Sequence, residues 1–385
     1  MMSKKKMHFL APMLLLFFGL TTVLSGCLDR QATASIRANT AARGEGDIVI
    51  GAAWPFASND GGFWQGVELA VNEINSGGGV NSRQLRLVKA DDEGNVTKGE
   101  AVAQSLAEQK EIVAVIGDRN SFVSLPAAEI YERAGIVMLT PGSTAPELTQ
   151  KGYQYVFRSI PSDSEIAARV AQYAAGKGHK RMVIYYVDDS YGRGLANAFE
   201  DSAERYGLTI VDRIAYYGDL KDLAELKRQW QVMGYDGVFI ADSLPRGGEF
   251  VADARRVGID APFYGGNALD SSQLSKVAGQ AAEGMVVGSI FNPNSTRPET
   301  QQFVQAFRNK YGSMPSQWSA QGYDAVKLLA AAMTQAKSSE PEKIARQLRT
   351  LQNWPGATGI HKFDGSGDEK GDMVVLKTLK NGIFE

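Results

Sequence analysis

Short apolar stretches alternate with longer amphipathic segments from residue 47 onward, and this alternation predicts strands followed by helices. Residues 48–51 are continuously apolar, as in a buried strand, whereas residues 63–75 repeat large apolar side chains at helical spacing. Because strands connected by helical crossovers lie parallel, we expect a doubly wound parallel sheet. Its further strands are expected at 85–88, 112–116 and 136–139.

The pattern restarts after residue 160 and predicts a second lobe of similar build. Three late helical segments then precede a last strand at 373–379. Two sheets built in sequence and followed by late helices predict an α/β protein with two lobes connected by several chain crossings. The strands of the second lobe are expected at 182–187, 208–215, 237–240, 262–264 and 285–290, and the late helices at 298–311, 319–336 and 340–351.

The first 27 residues have the pattern of a bacterial lipoprotein signal. Lysines at 4–6 precede an apolar run at 9–20 that is short for a membrane span, and Cys27 closes a Leu-Ser-Gly-Cys sequence that resembles a lipobox. We expect residues 1–26 to be removed and Cys27 to carry the lipid that holds the mature chain on a membrane, outside the cytoplasm. The alternative is an ordinary signal peptide that contains a cysteine. Residues 27–46 show no period and few large apolar side chains, so we expect a flexible tether.

Composition excludes several classes of protein. The 385 residues are 44% hydrophobic and 22% charged, with a formal net charge of −2, which is an ordinary globular composition. Without a basic block beyond residues 4–6, a nucleic-acid partner is not expected. A single cysteine rules out an internal disulfide. Together with only three histidines, it also argues against a metal centre.

The loops after the predicted strands are where a ligand is expected, because open parallel sheets bind ligands beyond the carboxyl ends of their strands. These loops are rich in hydroxyl, amide and aromatic side chains and lack the third glycine of a dinucleotide fingerprint, so no cofactor is expected. They comprise residues 54–56, 118–121 and 140–144 in the first lobe and 188–191, 242–243 and 267 in the second.

Six stretches of the chain resemble the type I periplasmic binding proteins of branched-chain amino acid transporters. The most specific is PGSTAPELT at 141–149, followed by Phe157 and Arg158. The resemblance covers about residues 47–380. The six stretches are GVELAVNEINSGGGV at 66–80, DDEGN at 91–95, AAEIYERAGIVMLTPGSTAPELT at 127–149, YQYVFRSIPSD at 153–163, DDSYGRGLA at 188–196 and FDGSGDEKGD at 363–372.

The resemblance implies two doubly wound parallel-sheet lobes joined by three hinge crossings, which clamp a small solute and deliver it to an ABC permease without chemistry. The first lobe is expected to comprise residues 47–160 and 292–365. The second lobe is expected to comprise residues 161–291 and 366–385.

The resemblance also implies ligand contacts. Ser121 stands where the family holds the ligand carboxylate at a helix start, and Gly142, Ser143 and Thr144 stand where a second turn completes that grip. A helix N-terminus favours an anion, although Ser121 and Thr144 could instead be plain helix caps. Tyr191 matches a second-lobe tyrosine that closes over the ligand, the alternative being a solvent-facing aromatic.

Two departures from the family pattern concern the ligand ammonium. Asn267 stands where the prototype has a glutamate, and Ser243 where it has a second tyrosine. Asp242 could supply the missing charge if it reaches the cleft, or it could cap the helix that starts near Arg246. Because a buried ammonium needs a counter-charge, we hypothesise a small carboxylate-bearing ligand. It would be either an amino acid held through Asp242 or an acid or amide without the α-ammonium.

Three large side chains have two interpretations each. Arg119 replaces an apolar wall of the prototype and either binds a second acidic group or faces solvent. Trp54 and Trp318 either offer a flat face to the ligand or belong to the core.

The sequence therefore predicts a lipid-anchored, extracytoplasmic solute-binding protein that passes a small amino-acid-like or carboxylate ligand to an ABC permease. The alternative is a ligand-sensing or envelope-assembly lipoprotein that shares the clamp fold and serves no transporter. An enzyme is not expected, because the mature chain has no G-x-S-x-G, H-E-x-x-H or P-loop motif.

Overall fold

The computed structural model describes residues 33–59 and 61–385, and within them two large β-sheets are covered by helices on both faces. The expected signal segment, Cys27 and residues 28–32 lie outside the described residues.

The first sheet has five parallel strands in the order β2-β1-β3-β4-β5. The order reverses direction at β1, so the crossover helices fall on both faces, as a doubly wound sheet requires. The strands are β1 (Ile48–Trp54), β2 (Leu85–Asp91), β3 (Ile112–Ile116), β4 (Val137–Thr140) and β5 (Val156–Arg158).

The second sheet has seven strands in the order β14-β13-β10-β9-β8-β6-β7. The five strands from β10 to β7 in this order are parallel to one another, whereas β13 and β14 form an antiparallel edge. The strands are β6 (Arg181–Tyr186), β7 (Thr209–Ile214), β8 (Gly237–Ala241), β9 (Phe263–Gly265), β10 (Val286–Ser289), β13 (Val375–Lys380) and β14 (Ile383–Phe384). A separate ribbon pairs β11 (Trp354–Pro355) with β12 (Ile360–His361).

Helices connect the strands in the alternation that the sequence predicts. They are α1 (33–42), α2 (Phe56–Asn59), α3 (Phe63–Ser76), α4 (Val96–Glu108), α5 (Ser121–Ala134), α6 (Glu147–Gln150), α7 (Asp163–Gly176), α8 (Ser190–Arg205), α9 (Leu220–Val232), α10 (Arg246–Arg256), α11 (Ser272–Ala278), α12 (Pro298–Tyr311), α13 (Gln317–Ala336) and α14 (Pro341–Thr350).

Each sheet is buried between two helix layers, which explains why its strands are apolar on both faces. Every residue of β1 is buried, and successive residues face opposite layers. Ile48 and Ile50 pack with α3, α13 and α14, whereas Val49 packs with α4 and α5. The period of two along a strand therefore distributes one apolar run between two cores.

The chain crosses between the two sheets three times. The first crossing follows Arg158 and leads to α7, whose Ile166 and Val170 pack on the second sheet. The second follows Ser289 and returns the chain to helices that pack on the first sheet. The third leads from β12 to β13. This architecture confirms the expected two-lobed α/β fold, with the antiparallel β13–β14 edge as an addition.

Buried ions hold the third crossing against the first lobe. The Arg158 guanidinium forms an ion pair with Asp368, and both side chains are almost fully buried. His361 lies between the carboxylates of Glu369 and Asp324. Burial alone would lower the pKa of His361, but the two carboxylates outweigh it and raise the pKa to about 9. The imidazole is therefore a cation that ties this crossing to α13.

The structure differs from the expected flexible tether over residues 33–42, which form α1. Arg37 of this helix is fully buried and donates to the carbonyl oxygens of Ile112 at 2.7 Å, Ala107 at 2.6 Å and Ala134. Helix α1 has mostly small side chains, so it shows no apolar stripe. The partners of Arg37 are remote in the sequence. Ala41 adds a contact with the first-lobe core, and its carbonyl accepts from the Ser339 hydroxyl at 3.3 Å.

Candidate ligand-binding site

The two lobes present their strand ends to a shared cleft that contains a small cavity of about 40 Å³. The first lobe contributes the loop after β3, the start of α5 and the turn after β4, and the second contributes the start of α8 and the loops after β8 and β9. Seven of the eleven residues predicted as ligand contacts line it: Ser121, Gly142, Tyr191, Ser243, Asn267, Arg119 and Trp318. Four further residues line it: Asn120 and Asp189 belong to loops where the sequence predicts a ligand but were not named as contacts, whereas Phe122 and Ala268 were missed.

The first turn of α5 forms one end of the cavity. Ser121 is buried, and its Oγ accepts a hydrogen bond from the Ser143 hydroxyl at 3.2 Å. The preceding residue, Asn120, makes no side-chain cap hydrogen bond to the helix. The positive end of the α5 dipole therefore faces the cavity without a side-chain cap, which suits an anionic group.

Hydrogen bonds through Thr140 join this helix start to the turn after β4. The Thr140 hydroxyl donates to the Asp118 carbonyl at 2.7 Å and accepts from the backbone N–H of Gly142 at 3.2 Å and of Ser143 at 3.0 Å. A Cβ on Gly142 would lie 2.7 Å from the Cα of Arg119, so only glycine fits there. The two ligand loops of the first lobe thus form one rigid unit.

Several buried polar atoms beside the cavity make no hydrogen bond of normal geometry with any of the described residues. They are Thr144 Oγ1, both carboxylate oxygens of Asp163, Tyr191 OH and Asn267 Oδ1. Buried polar groups are normally satisfied, so a set of unsatisfied atoms from both lobes indicates a place where a polar ligand binds. Thr144 lies beside this cluster rather than on the wall of the small cavity.

Asp163, which the sequence analysis did not consider, does not line the small cavity but lies close to Thr144 and Tyr191. Its position in the first turn of α7, next to the capping serine Ser162, is ordinary for an exposed aspartate, yet the side chain is fully buried. Burial raises the pKa of Asp163 to about 7, against the opposing effects of the Thr144 hydroxyl and Arg158. Because Arg158 is already paired with Asp368, Asp163 has no cation of its own.

Asp242, unlike Asp163, has a cation next to it. Its buried carboxylate accepts from the Ser243 N–H at 2.6 Å and from Arg246 Nε at 2.8 Å. Burial raises the pKa of Asp242, and the ion pair with Arg246 opposes that rise. Asp242 thus joins the start of α10 and already has its counter-charge, and it does not line the cavity.

Arg119 and Trp318 lie between the small cavity and a larger one. The Arg119 guanidinium lies over the Trp318 ring at 4.8 Å, and both residues line the small cavity and an adjoining cavity of about 510 Å³. Trp54 is fully buried, stacks on Phe63 at 3.9 Å and meets Trp318 edge-on at 5.7 Å. Trp54 therefore supports Trp318 from the core and does not line either cavity.

A sequence model of the periplasmic binding protein family matches residues 54–377, nearly all of both lobes. The chain belongs to this family. This periplasmic binding protein is 31% identical over 341 residues to the Leu/Ile/Val-binding protein of Escherichia coli, a match that covers 88% of this chain and 89% of that protein. The family resemblance of the sequence is thereby confirmed.

Solved structures of relatives share the fold of this periplasmic binding protein. An ABC transporter substrate-binding protein from Desulfitobacterium hafniense, crystallised in complex with Leu, is 56% identical, with a TM-score of 0.82 over 88% of this chain and 99% of that one. A leucine-binding protein from Thermotoga maritima is 28% identical, with a TM-score of 0.81 over 88% of this chain and 97% of that one.

The described residues contain neither a membrane-spanning helix nor a cluster of metal ligands. No helix within 33–59 or 61–385 is long and apolar enough to span a membrane. Across the same ranges, no three His, Cys, Asp or Glu side chains are grouped so as to hold a metal ion.

Proposed function

We propose that this periplasmic binding protein captures an α-amino acid, with leucine as the first candidate, and delivers it to an ABC permease. The observation that carries the proposal is the buried Asp163 carboxylate, which has no cation of its own and lies beside other unsatisfied polar atoms at the cleft. The complex of the Desulfitobacterium hafniense relative with Leu supports the choice of leucine as the first ligand to test.

The two charged groups of an amino acid fit opposite parts of the site. The carboxylate suits the start of α5 and Ser121, where the helix dipole favours an anion. The ammonium suits Asp163 and the Thr144 hydroxyl, since a charge-assisted hydrogen bond would satisfy both. Tyr191 and Asn267 would then close over the ligand from the second lobe.

Asp163 replaces Asp242 as our candidate counter-charge for the ammonium. The glutamate of the family prototype is absent at Asn267, and Asp242 is engaged by Arg246. A buried ammonium without a counter-charge costs several kcal/mol, so the ligand requires a carboxylate. Asp163 meets this requirement, and we therefore favour an amino acid over an acid or amide that lacks the ammonium.

Calorimetry on two carboxylate variants tests the proposal. We expect the wild-type protein to bind leucine and not its des-amino analogue, 4-methylpentanoate. Asp163→Asn should weaken leucine binding by about tenfold to a hundredfold or more, as expected for a lost charge-assisted contact of about 1.5–3 kcal/mol. Asp242→Asn is the matched control and should change the Kd by less than about threefold, because the Asp242 carboxylate is already paired with Arg246.

Two outcomes of these calorimetry experiments would contradict the proposal. Leucine binding that is lost in Asp242→Asn and kept in Asp163→Asn would reverse the assignment of the counter-charge. Binding of 4-methylpentanoate without binding of leucine would contradict an amino acid ligand.

Anchoring and transport complete the proposed function. We infer that Cys27 carries a lipid that holds the protein on the outer side of a membrane, as its Leu-Ser-Gly-Cys context suggests. Delivery to a permease rests on family membership. Deleting the chromosomal gene should abolish uptake of radiolabelled leucine at low concentration, and a plasmid copy should restore it.

A further inference from the structure

A second cluster of buried acidic groups lies directly beneath the ligand loops. Asp92 follows β2, and Asp118 follows β3 after Gly117; both side chains are fully buried. Both oxygens of Asp118 and one oxygen of Asp92 make no hydrogen bond with any group in the described part of the chain when both carboxyls are taken as ionised. The cluster belongs neither to the cavity wall nor to the proposed ammonium site.

The two carboxyl groups lie within hydrogen-bonding reach of each other. Two ionised carboxylates at this distance and out of water would repel strongly, whereas one proton converts the repulsion into a short O–H···O⁻ hydrogen bond. The other Asp92 oxygen is already satisfied by the Gly94 N–H at 2.7 Å. This leaves the facing oxygens of the pair as the place for the proton.

No cation among the described residues forms an ion pair with either carboxyl. Asp91, at the end of β2, adds negative charge, and Arg119 exerts only the weakest of the influences on Asp92. Tyr131 reaches the cluster from α5 with a buried hydroxyl that also lacks a hydrogen-bond partner within residues 33–59 and 61–385. Helix α4 contributes Gly99, which has no side chain. Burial, followed by mutual repulsion, raises the pKa of Asp118 well above its ordinary value.

The pair is connected to the ligand loops by hydrogen bonds. The Asp118 carbonyl accepts from the Thr140 hydroxyl at 2.7 Å and from the Ser124 hydroxyl at 3.3 Å. Thr140 in turn orders Gly142 and Ser143, and Arg119 follows Asp118 directly in the chain. A displacement of Asp118 would therefore move both loops that form the carboxylate end of the site.

We propose that Asp92 and Asp118 share one proton at neutral pH and that this hydrogen-bonded pair positions the ligand loop 119–121. The pair acts as a positioning device for binding and does not touch the ligand. Loss of the proton would place two buried negative charges in contact and push the loop away from its binding position.

Infrared spectroscopy tests the shared proton without any ligand. At about pH 8, where Asp163 is mostly ionised, the wild-type protein should show a carboxylic-acid C=O stretch. The band should disappear in both Asp118→Asn and Asp92→Asn and remain in Asp163→Asn and in the exposed neighbour variant Glu93→Gln. Absence of the band in the wild-type protein, or its survival in both pair variants, would overturn the proposal.

The pH dependence of thermal unfolding provides a second test, because a contact without a shared proton would not change it. A carboxyl whose pKa is raised by folding keeps a proton that the unfolded chain releases, so stability falls as the pH rises above about 4. Asp118→Asn removes this loss. The melting temperature of the variant minus that of the wild-type protein should therefore increase as the pH rises from about 5 to about 8. A constant difference would contradict a shared proton.

A bound cation is the competing explanation for the cluster. If the pair holds sodium or calcium instead of a proton, adding that ion should raise the melting temperature of the wild-type protein and not that of Asp118→Asn. Such a result would overturn the proposal.

The role of the pair in binding rests on the proposed function and is measured with leucine as the probe. Above about pH 8, the Kd of the wild-type protein should increase about tenfold more than that of Asp118→Asn. A change of this size is expected when the pKa of the pair differs by about one between the free and the bound protein. If the Kd of both proteins changes equally with pH, the pair contributes to stability and does not position the ligand loop. If leucine does not bind at all, the infrared and unfolding results still decide the shared proton.

Discussion

At the scale of single residues, the site is distinguished by how its buried carboxylates are neutralised. Asp242 is neutralised by Arg246, Asp118 faces Asp92, and Asp163 has neither a cation nor a second carboxyl in contact. An aspartate that stays buried without compensation costs stability, and such costs are concentrated where a ligand supplies the missing charge. Asp163 therefore carries the amino acid hypothesis.

The pH dependence of leucine binding should follow Asp163. Its pKa of about 7 in the free protein means that many molecules carry a proton which the ligand ammonium must displace. Affinity should therefore rise between about pH 6 and pH 8, with a limit of about tenfold per pH unit below the pKa, and a proton should be released on binding. Calorimetry in buffers of different ionisation enthalpy measures that proton. A wild-type profile as flat as that of Asp163→Asn would contradict the assignment.

At the scale of elements, the alternation of apolar runs and amphipathic segments predicted ten of the fourteen strands in the described residues and the long helices of both lobes. The short strands β5, β11, β12 and β14 were not predicted. Helix α1 was not predicted either, because its buried residues are Arg37 and the small Ala41 rather than a stripe of large apolar side chains. Burial lowers the pKa of Arg37 to about 10. The guanidinium remains charged at neutral pH and holds α1 at the edge of the first sheet opposite the cavity, where β3 begins.

Removing the Arg37 side chain should destabilise the protein without affecting the site. Arg37→Ala leaves three buried carbonyl oxygens without their donor, and a lost partner of this kind costs about 1–3 kcal/mol. We expect urea denaturation to show a free energy of unfolding lower by about 3 kcal/mol. Arg43→Ala, on an exposed residue of the same segment, is the control. Equal stability of the two variants would mean that α1 contributes nothing to the folded body.

At the scale of the whole molecule, the site exists only where two lobes meet. Ser121 and Gly142 come from one lobe and Tyr191 and Asn267 from the other, so a ligand gains its full set of contacts only when the lobes are close together. The three crossings are the connections about which such a movement would occur. Binding and closure should therefore be coupled.

Small-angle scattering should detect that closure. We expect the radius of gyration of the wild-type protein to decrease when leucine is added at saturating concentration, because contacts with both lobes favour the closed form. Asp163→Asn at the same leucine concentration should remain at the value of the free protein. Unchanged scattering in a sample whose leucine binding has been confirmed by calorimetry would contradict the clamp.

Membrane attachment should depend on Cys27 alone. Radiolabelled palmitate should enter the wild-type protein in cells and be absent from Cys27→Ala, because the chain has no second thiol. Ser25→Thr, which keeps the cysteine, is the control and should remain labelled. Label in Cys27→Ala would exclude the lipobox interpretation.

The sequence by itself determined the two-lobed α/β architecture, the family and most of the cavity wall. These depend on local periodicity and on contiguous motifs such as residues 141–149. Only the tertiary structure decided which charges are buried and what compensates them. Arg37 meets Ile112 across 75 positions and Arg158 meets Asp368 across 210, and the same packing leaves Asp163 without an ion-pair partner among the described residues. The free energy of a buried charge depends on neighbours that the chain brings together only when it folds, so no local sequence pattern predicts it.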